Sequence, residues 1–147
     1  MYHIAEISYE DIQVFWNKLW PGRSYEAHSA MSYLGGYLAW PPKEVYYYGV
    51  FTDQNDIVGV NSCHDTGHML VRSRGLWVDP QHRGHQLGVQ LLDHATQWAE
   101  QRDYYAVWSY PRRDSWATYK AAGYEQEGPW FTDSNAVTNC YAIRRIK

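Results

Sequence analysis

The chain has 147 residues, a formal net charge of -3, a pI near 6.1 and a mean hydropathy of -0.62. That length suits one domain, residues 1–147, built on a single substantial core, and the acidic balance excludes broad, non-specific nucleic-acid binding, which draws on a positive surface. No apolar run is long enough to span a membrane and no cleavable leader is visible, so a soluble cytoplasmic protein is expected. Cys63 and Cys140 stand far apart and outside any C-x-x-C pair, which predicts buried free thiols rather than a disulfide framework. Aromatic residues make up 17% of the chain, with eight Trp and fourteen Tyr. In so polar a sequence these rings must supply much of the core, and any surplus would line a pocket or a subunit contact, so a homodimer is consistent with the composition.

In chain order, residues 2–7 alternate and predict a first strand. Ser8 then suits an N-cap, with Asp11 at the capping-box position, for a helix whose apolar face is Ile12, Phe15 or Trp16, and Leu19, ended by Pro21-Gly22. Within 23–42, Tyr25, His28, Met31, Tyr33 and Leu34 suggest a second short helix, and Gly35-Gly36 with Trp40-Pro41-Pro42 a loop that either closes over a substrate or forms a surface connection. Residues 44–51 are strongly β-prone, Asp53-Gln54-Asn55-Asp56 is turn chemistry, and 57–61 return as the partner strand of a hairpin. His64-Asp65-Thr66-Gly67 reads as a loop before a strand over 68–78 with an irregularity at Gly75.

Asp79-Pro80 stops that strand, and from Leu87 apolar residues recur at Leu91, Ala95, Trp98 and Ala99, a helical spacing. Between them lies a basic, glycine-bearing loop that runs straight into a helix N-terminus, where unpaired backbone N–H groups and the positive end of the helix dipole attract anions. Gly84 and Gly88 lack the Cβ that would block a phosphate, and Arg83 and His85 add donors. The loop is neither a P-loop, since three residues separate its glycines and Val89-Gln90 follow, nor a G-x-G-x-x-G dinucleotide fingerprint. Further on, 105–109 is a buried-type strand. Pro111 and Arg113-Asp114 open a helix through 115–122 with Gly123 as its stop. Residues 124–127 and 138–143 read as two strands around a polar, flexible 128–136 connection. The order predicts a mixed α/β sheet, mostly antiparallel, of about six to seven strands with helices on both faces.

The loop Arg83-Gly84-His85-Gln86-Leu87-Gly88 resembles the Arg/Gln-x-x-Gly-x-Gly/Ala loop of the GNAT superfamily of acyl-CoA-dependent N-acetyltransferases. Tyr119-Lys120-Ala121-Ala122-Gly123-Tyr124 is similar to that family's Tyr-x-x-x-Gly-Phe helix end, and the order of elements is the one the GNAT fold uses. Two positions depart: Gln86 stands where the family usually has Gly, and Arg112 where it often carries Asn. The resemblance implies direct transfer of an acyl group, usually acetyl, from acetyl-CoA to a primary amine of a small molecule or peptide, with no covalent enzyme intermediate and no metal.

In that reading the amides of Arg83, Gly84, His85, Gln86, Leu87, Gly88 and Val89 hold the CoA pyrophosphate, and Arg112 or Arg113 meets a CoA phosphate. The pantetheine arm pairs with the strand end Leu76-Trp77-Val78, provided that edge splays from the next strand, and an N–H there faces the thioester oxygen. Tyr119 would return a proton to the leaving thiolate, helped by Arg112 or a helix N-terminus; its residue-level alternative is a core aromatic with a satisfied hydroxyl. The general base stays open among Glu44, His64, Asp65, His68 and Asp114, or none. His64 and His68 beside Cys63 lack the helical setting and the glutamate of an HExxH zinc site, so no metal is expected. Trp108-Ser109-Tyr110-Pro111-Arg112-Arg113 reads as a core Trp followed by a ligand-facing Arg pair rather than a nucleic-acid element. The remaining alternatives are a non-catalytic acyl-CoA-binding module and an aromatic-rich interaction domain.

Overall fold

In the computed structural model, which describes residues 1–20 and 45–147, the chain opens with β1 (His3–Glu6) and α1 (Tyr9–Leu19). Helix α1 starts where the capping pattern places it: Ser8 is extended (φ -81°, ψ 163°), its side chain accepts from the Asp11 amide, and Ile12 and Trp16 form the buried face. The Pro21-Gly22 stop, the second short helix, the 23–42 loop and Glu44 lie outside the described residues.

Strands β2 (Val45–Phe51), β3 (Ile57–Gly67) and β4 (Leu70–Val78) follow as an antiparallel meander. The predicted loop at 64–67 is instead the end of β3, because its backbone pairs with β4, and His64 also stands opposite Val45 of β2. Asp65, which reads as turn chemistry, works from within the strand: Oδ1 accepts from the Gly67 amide at 2.6 Å and Oδ2 from the Tyr104 hydroxyl at 2.8 Å. The reversal itself moves to Gly67, His68 and Met69, all at positive φ.

A 3-10 turn (Pro80–His82) leads to α2 (Leu87–Gln101), β5 (Ala106–Ser109), a second 3-10 turn (Arg113–Ser115), α3 (Trp116–Ala121), β6 (Glu125–Gln126), β7 (Phe131–Thr132), β8 (Thr138–Asn139) and β9 (Ala142–Arg145). The single strand predicted over 138–143 is therefore two. The Cys140 amide is taken by the Pro111 carbonyl and the Tyr141 carbonyl by the Glu127 amide, which breaks the ladder between β8 and β9. The predicted flexible 128–136 stretch contains β7, which pairs with β8 in a separate ribbon around Asp133, whose Oδ1 accepts from the Asn135 and Val137 amides.

The main sheet has seven strands in the order β1-β2-β3-β4-β5-β9-β6, and its one parallel pair is β4 with β5. Alternation in β2 serves both faces. Tyr47 packs with Ile7, Ile12, Trp16 and Val60 beneath α1, while Tyr48 and Val50 pack with Leu91, Leu92, Ala95 and Ala99 of α2. Helices thus cover both faces, as the element order implies, and Trp16, Tyr48, Tyr119 and Tyr124 supply the ring-rich core. Cys63 and Cys140 are buried and free.

What positions the site is the seam between β4 and β5. Their pairing holds at Leu70↔Ala106, Val71↔Val107 and Arg72↔Trp108 and then stops, while β4 runs on to Val78. The separation coincides with a bulge in β4: Val60↔Trp77 and Ser62↔Arg74 bracket an extra β4 residue. Gly75 lies there at φ 85°, and its carbonyl accepts from Trp16 Nε1 at 3.0 Å. A Cβ at Gly75 would overlap the Trp16 indole. Gly75→Ala combines that overlap with a left-handed alanine, and should cost about 3 kcal/mol or more in urea unfolding; a loss below about 1 kcal/mol would show that the bulge is not fixed by this contact.

His64, at 1% exposure, has no hydrogen-bond partner on either ring nitrogen. Burial, then the charges of Arg72 and Arg74, push its pKa down from 6.5 to about 4, so the ring is neutral at pH 7. The unfolded chain binds a proton here that the folded chain refuses, so His64 contributes stability above pH 6.5 that is lost as pH falls towards 4, on the order of 3 kcal/mol in all. Replacing His64 by Gln should flatten that part of the stability–pH curve; an unchanged acid slope would contradict the assignment.

Candidate active site

Where β4 leaves β5 a cleft of about 570 Å3 opens, and its walls come from three places in the chain. Leu76, Trp77 and Val78 supply the β4 edge, Arg83, Gly84 and Gln86 the loop, and Leu87, Gly88 and Val89 the first turn of α2. Arg112, Asp114, Ser115 and Thr118 close the opposite side. The residues expected to meet the acyl donor are thus gathered around one space, except Arg113, the alternative to Arg112, whose guanidinium lies 5.0 Å from the Trp130 ring centroid, and His85. The His85 ring is exposed outside the lining and lies 5.5 Å from the Tyr2 ring, while Tyr2 Oη and His82 Nδ1 are 3.0 Å apart.

The loop is shaped by its backbone. Gly84 sits at φ 90° with no atom within 4 Å of where a Cβ would point, so the approach to its amide is open. Gln86, the departure from the family pattern, is left-handed (φ 59°, ψ 28°). Glycine adopts that conformation without cost, whereas any other residue there loses roughly 1–2 kcal/mol. Gln86 nevertheless accepts the first helical bond, from the Gln90 amide to its carbonyl at 3.1 Å, and no side chain caps α2. The Leu87, Gly88 and Val89 amides therefore have no intrahelical partner and stand at the positive end of a 15-residue helix. Gly88 differs from expectation: a Cβ there would lie 2.8 Å from Thr118 Cγ2, so this glycine seats α3 against α2 rather than simply clearing a path for an anion.

A second cavity of about 220 Å3 adjoins the first, sharing Leu19, Leu76, Arg112 and Ser115 with it. Tyr119 lines it and is otherwise enclosed, 5% exposed, with its ring edge-on to Tyr124 at 5.2 Å. Burial raises the phenol above 10.0, against the opposing pull of the Ser109 hydroxyl and the Arg72 guanidinium. Arg72, a cation that the sequence reading did not name for this role, thus pulls on Tyr119, and desolvation outweighs it. Ser109 Oγ donates to the Ser73 carbonyl at 2.8 Å, a side-chain clasp across β4 and β5 just beyond their last backbone pair.

Arg72, Arg74, Ser109 and Asp133 also line this cavity and were missed in the sequence. The available signal was Arg72 and Arg74 two apart in a strand, which places both on one face. The Arg72 guanidinium lies 4.8 Å from the Trp108 ring centroid and that of Arg74 5.3 Å from Trp20. Among the base candidates, Asp65 is tied to the β3–β4 turn, His68 is exposed in that turn and His64 is sealed in the sheet, and none of the three lines either cavity. Asp114 does line the larger one, exposed, 3.5 Å from Ser115 Oγ. Among the described residues no group of three or more His, Cys, Asp or Glu converges on a metal position, and no helix is long and apolar enough to cross a membrane.

Known proteins share this fold. An acetyltransferase of the GNAT family from Staphylococcus aureus superposes with a TM-score of 0.77 at 13% identity, covering 100% of both chains. An IAA acetyltransferase from Bacillus cereus gives 0.76 at 13% identity, over 99% of this chain and 100% of that one. A ribosomal-protein alanine N-acetyltransferase from Escherichia coli gives 0.72 at 13% identity, over 100% and 95%. No curated protein matches the sequence. The profile of the Acetyltransferase (GNAT) family matches residues 9–124, and the chain belongs to that family of enzymes, which use acyl-CoA as co-substrate.

Proposed function

We propose that the protein transfers an acetyl group from acetyl-CoA to the primary amine of a small molecule or peptide, by direct attack in a ternary complex. The observation that carries this reading is the continuity of the cleft. Open amides at the start of α2 and the β4 residues beyond its last pair with β5 border the larger cavity, and Tyr119 borders the smaller one, which adjoins it through Leu19, Leu76, Arg112 and Ser115.

The Gly84 amide and those of Leu87, Gly88 and Val89 would hold the pyrophosphate, with Arg83 and Arg112 as the nearest charges of opposite sign. An extended pantetheine arm would take the place of a missing strand neighbour beside Leu76, Trp77 and Val78, satisfying backbone groups that β5 leaves unpaired. A β4 amide directed at the thioester oxygen would stabilise the negative charge that develops there as the amine attacks. The C–S bond breaks, the new C–N bond keeps the acetyl group, and the thiolate takes a proton.

In this reading Tyr119 is the donor for that last transfer. Its raised pKa keeps the phenol protonated through the neutral and mildly alkaline range. In water a phenol near pKa 10 protonates a thiolate near 8.5 uphill by about 2 kcal/mol. A thiolate withdrawn from water on binding would be destabilised by the same loss of solvent, which would narrow the gap. Asp114 is the one carboxylate among the described residues that line the larger cleft, and a base acting through water from there is compatible with its exposure.

Calorimetric titration with acetyl-CoA and amine-dependent thiol release test the reading together. Tyr119→Phe should lower kcat by about a hundredfold while leaving acetyl-CoA affinity within about twofold. Unchanged turnover would remove the acid role, binding without thiol release across an amine panel would make the protein a non-catalytic acyl-CoA module, and no binding would remove the reading altogether.

A further inference from the structure

The smaller cavity carries chemistry that acyl transfer itself does not require. Arg72, Arg74 and Arg112 face one carboxylate, Asp133, among the described residues that line it. Asp133 Oδ1 is already engaged by two backbone amides of its own turn. Arg112 also borders the larger cleft and is shared with the donor, whereas Arg72 and Arg74 line only the smaller space.

Arg72 is the informative member. No ion pair among the described residues includes it, and its Nε is buried without a hydrogen-bond partner. Its ring partner Trp108 covers one face of the guanidinium and leaves the edge donors for another group. A guanidinium withdrawn from water without a counter-ion is costly, and burial accordingly disfavours its charge. An incoming anion would offset that cost, and the planar fork of donors matches a carboxylate in two-point contact. The space, about 220 Å3, is below the range of roughly 300–1,000 Å3 typical of drug-sized ligands, so it suits a small acceptor rather than a folded protein surface. Tyr119 lines the same space, which keeps such an anion within one small molecule's length of the reacting centre.

We infer that the acceptor is a small amine that also carries a carboxylate, an amino acid in the broad sense, with Arg72 receiving the carboxylate while the amine faces the thioester. This rests on the acetyl-transfer reading above and narrows it from amines in general to anionic ones. The carboxylate would also set the direction of entry, because the positive end of the cavity repels the acceptor's ammonium and turns it towards the cleft.

The decisive comparison uses the unaltered enzyme with matched pairs that differ only in the carboxylate: alanine and ethylamine, serine and ethanolamine, lysine and cadaverine. The carboxylated member of at least one pair should have a kcat/KM higher by about tenfold or more, and Arg72→Gln should erase most of that preference, read as the ratio within each pair so that any effect of Arg72 on Tyr119 common to both members cancels. Should Arg72→Gln fail to fold, Arg72→Lys, which keeps the charge and loses the two-point fork, should lower the same within-pair ratio. Acetyl transfer to the decarboxylated amines at equal or greater kcat/KM overturns the inference and leaves the acetyltransferase reading intact. Conversely, calorimetric binding of a carboxylated amine that Arg72→Gln abolishes, in a protein that does not bind acetyl-CoA, would uphold the anion site while removing the acetyl-transfer reading.

Discussion

The hydrogen bond from Trp16 Nε1 to the Gly75 carbonyl is the contact on which the rest of the site depends. Two parallel strands with matched twist would pair along their whole length and leave no opening. Here an extra β4 residue, held by an indole that fills the space a side chain would need, turns β4 away from β5 after Arg72. The indole belongs to α1, on the opposite face from α2, so the two helical layers have separate tasks: α1 opens the seam and α2 supplies its positive end.

That division explains a distribution of charge that the net value of -3 conceals. Along the two cavities stand Arg83, Arg112, Arg72 and Arg74, while two of the base candidates, Asp65 and Asp114, sit respectively near the end of β3 and exposed in the lining of the larger cavity. A thioester donor with several phosphates and an acceptor with a carboxylate would both be drawn to a seam of this kind, and in a partly dry space each contact is stronger than on an open surface. Burial acts on the same residues in two directions. It keeps Tyr119 protonated, and it makes an unpaired Arg72 costly until a partner arrives.

The sequence exposed the parts of this arrangement that are local. Ser8 with Asp11, the Asp53–Asp56 turn chemistry and Gly123 at φ 88° each act within a few residues of their own position, and each element forms where its signal stands. The helix from Leu87 was equally legible because its buried face repeats along one stripe. What could not be read is whatever depends on a distant partner. The stretch 64–67 looks like a turn until β2 and β4 are found on either side of it. Strands β7 and β8 have two residues each and exist through one another. Gly88 looks like phosphate chemistry, and its neighbour turns out to be Thr118 from another helix. The same reason hid Arg72 and Arg74: a strand pattern gives their shared face but not the cavity that Tyr119 and Asp133 complete from far along the chain.

The central claim is that backbone groups left open by one bulged strand and one uncapped helix hold a thioester donor. Amide hydrogen exchange with and without acetyl-CoA reads those groups directly. Slowed exchange confined to the segments around Leu76–Val78 and Gly84–Val89 is the result this account requires; protection that leaves both segments unchanged while appearing elsewhere in the sheet would contradict it.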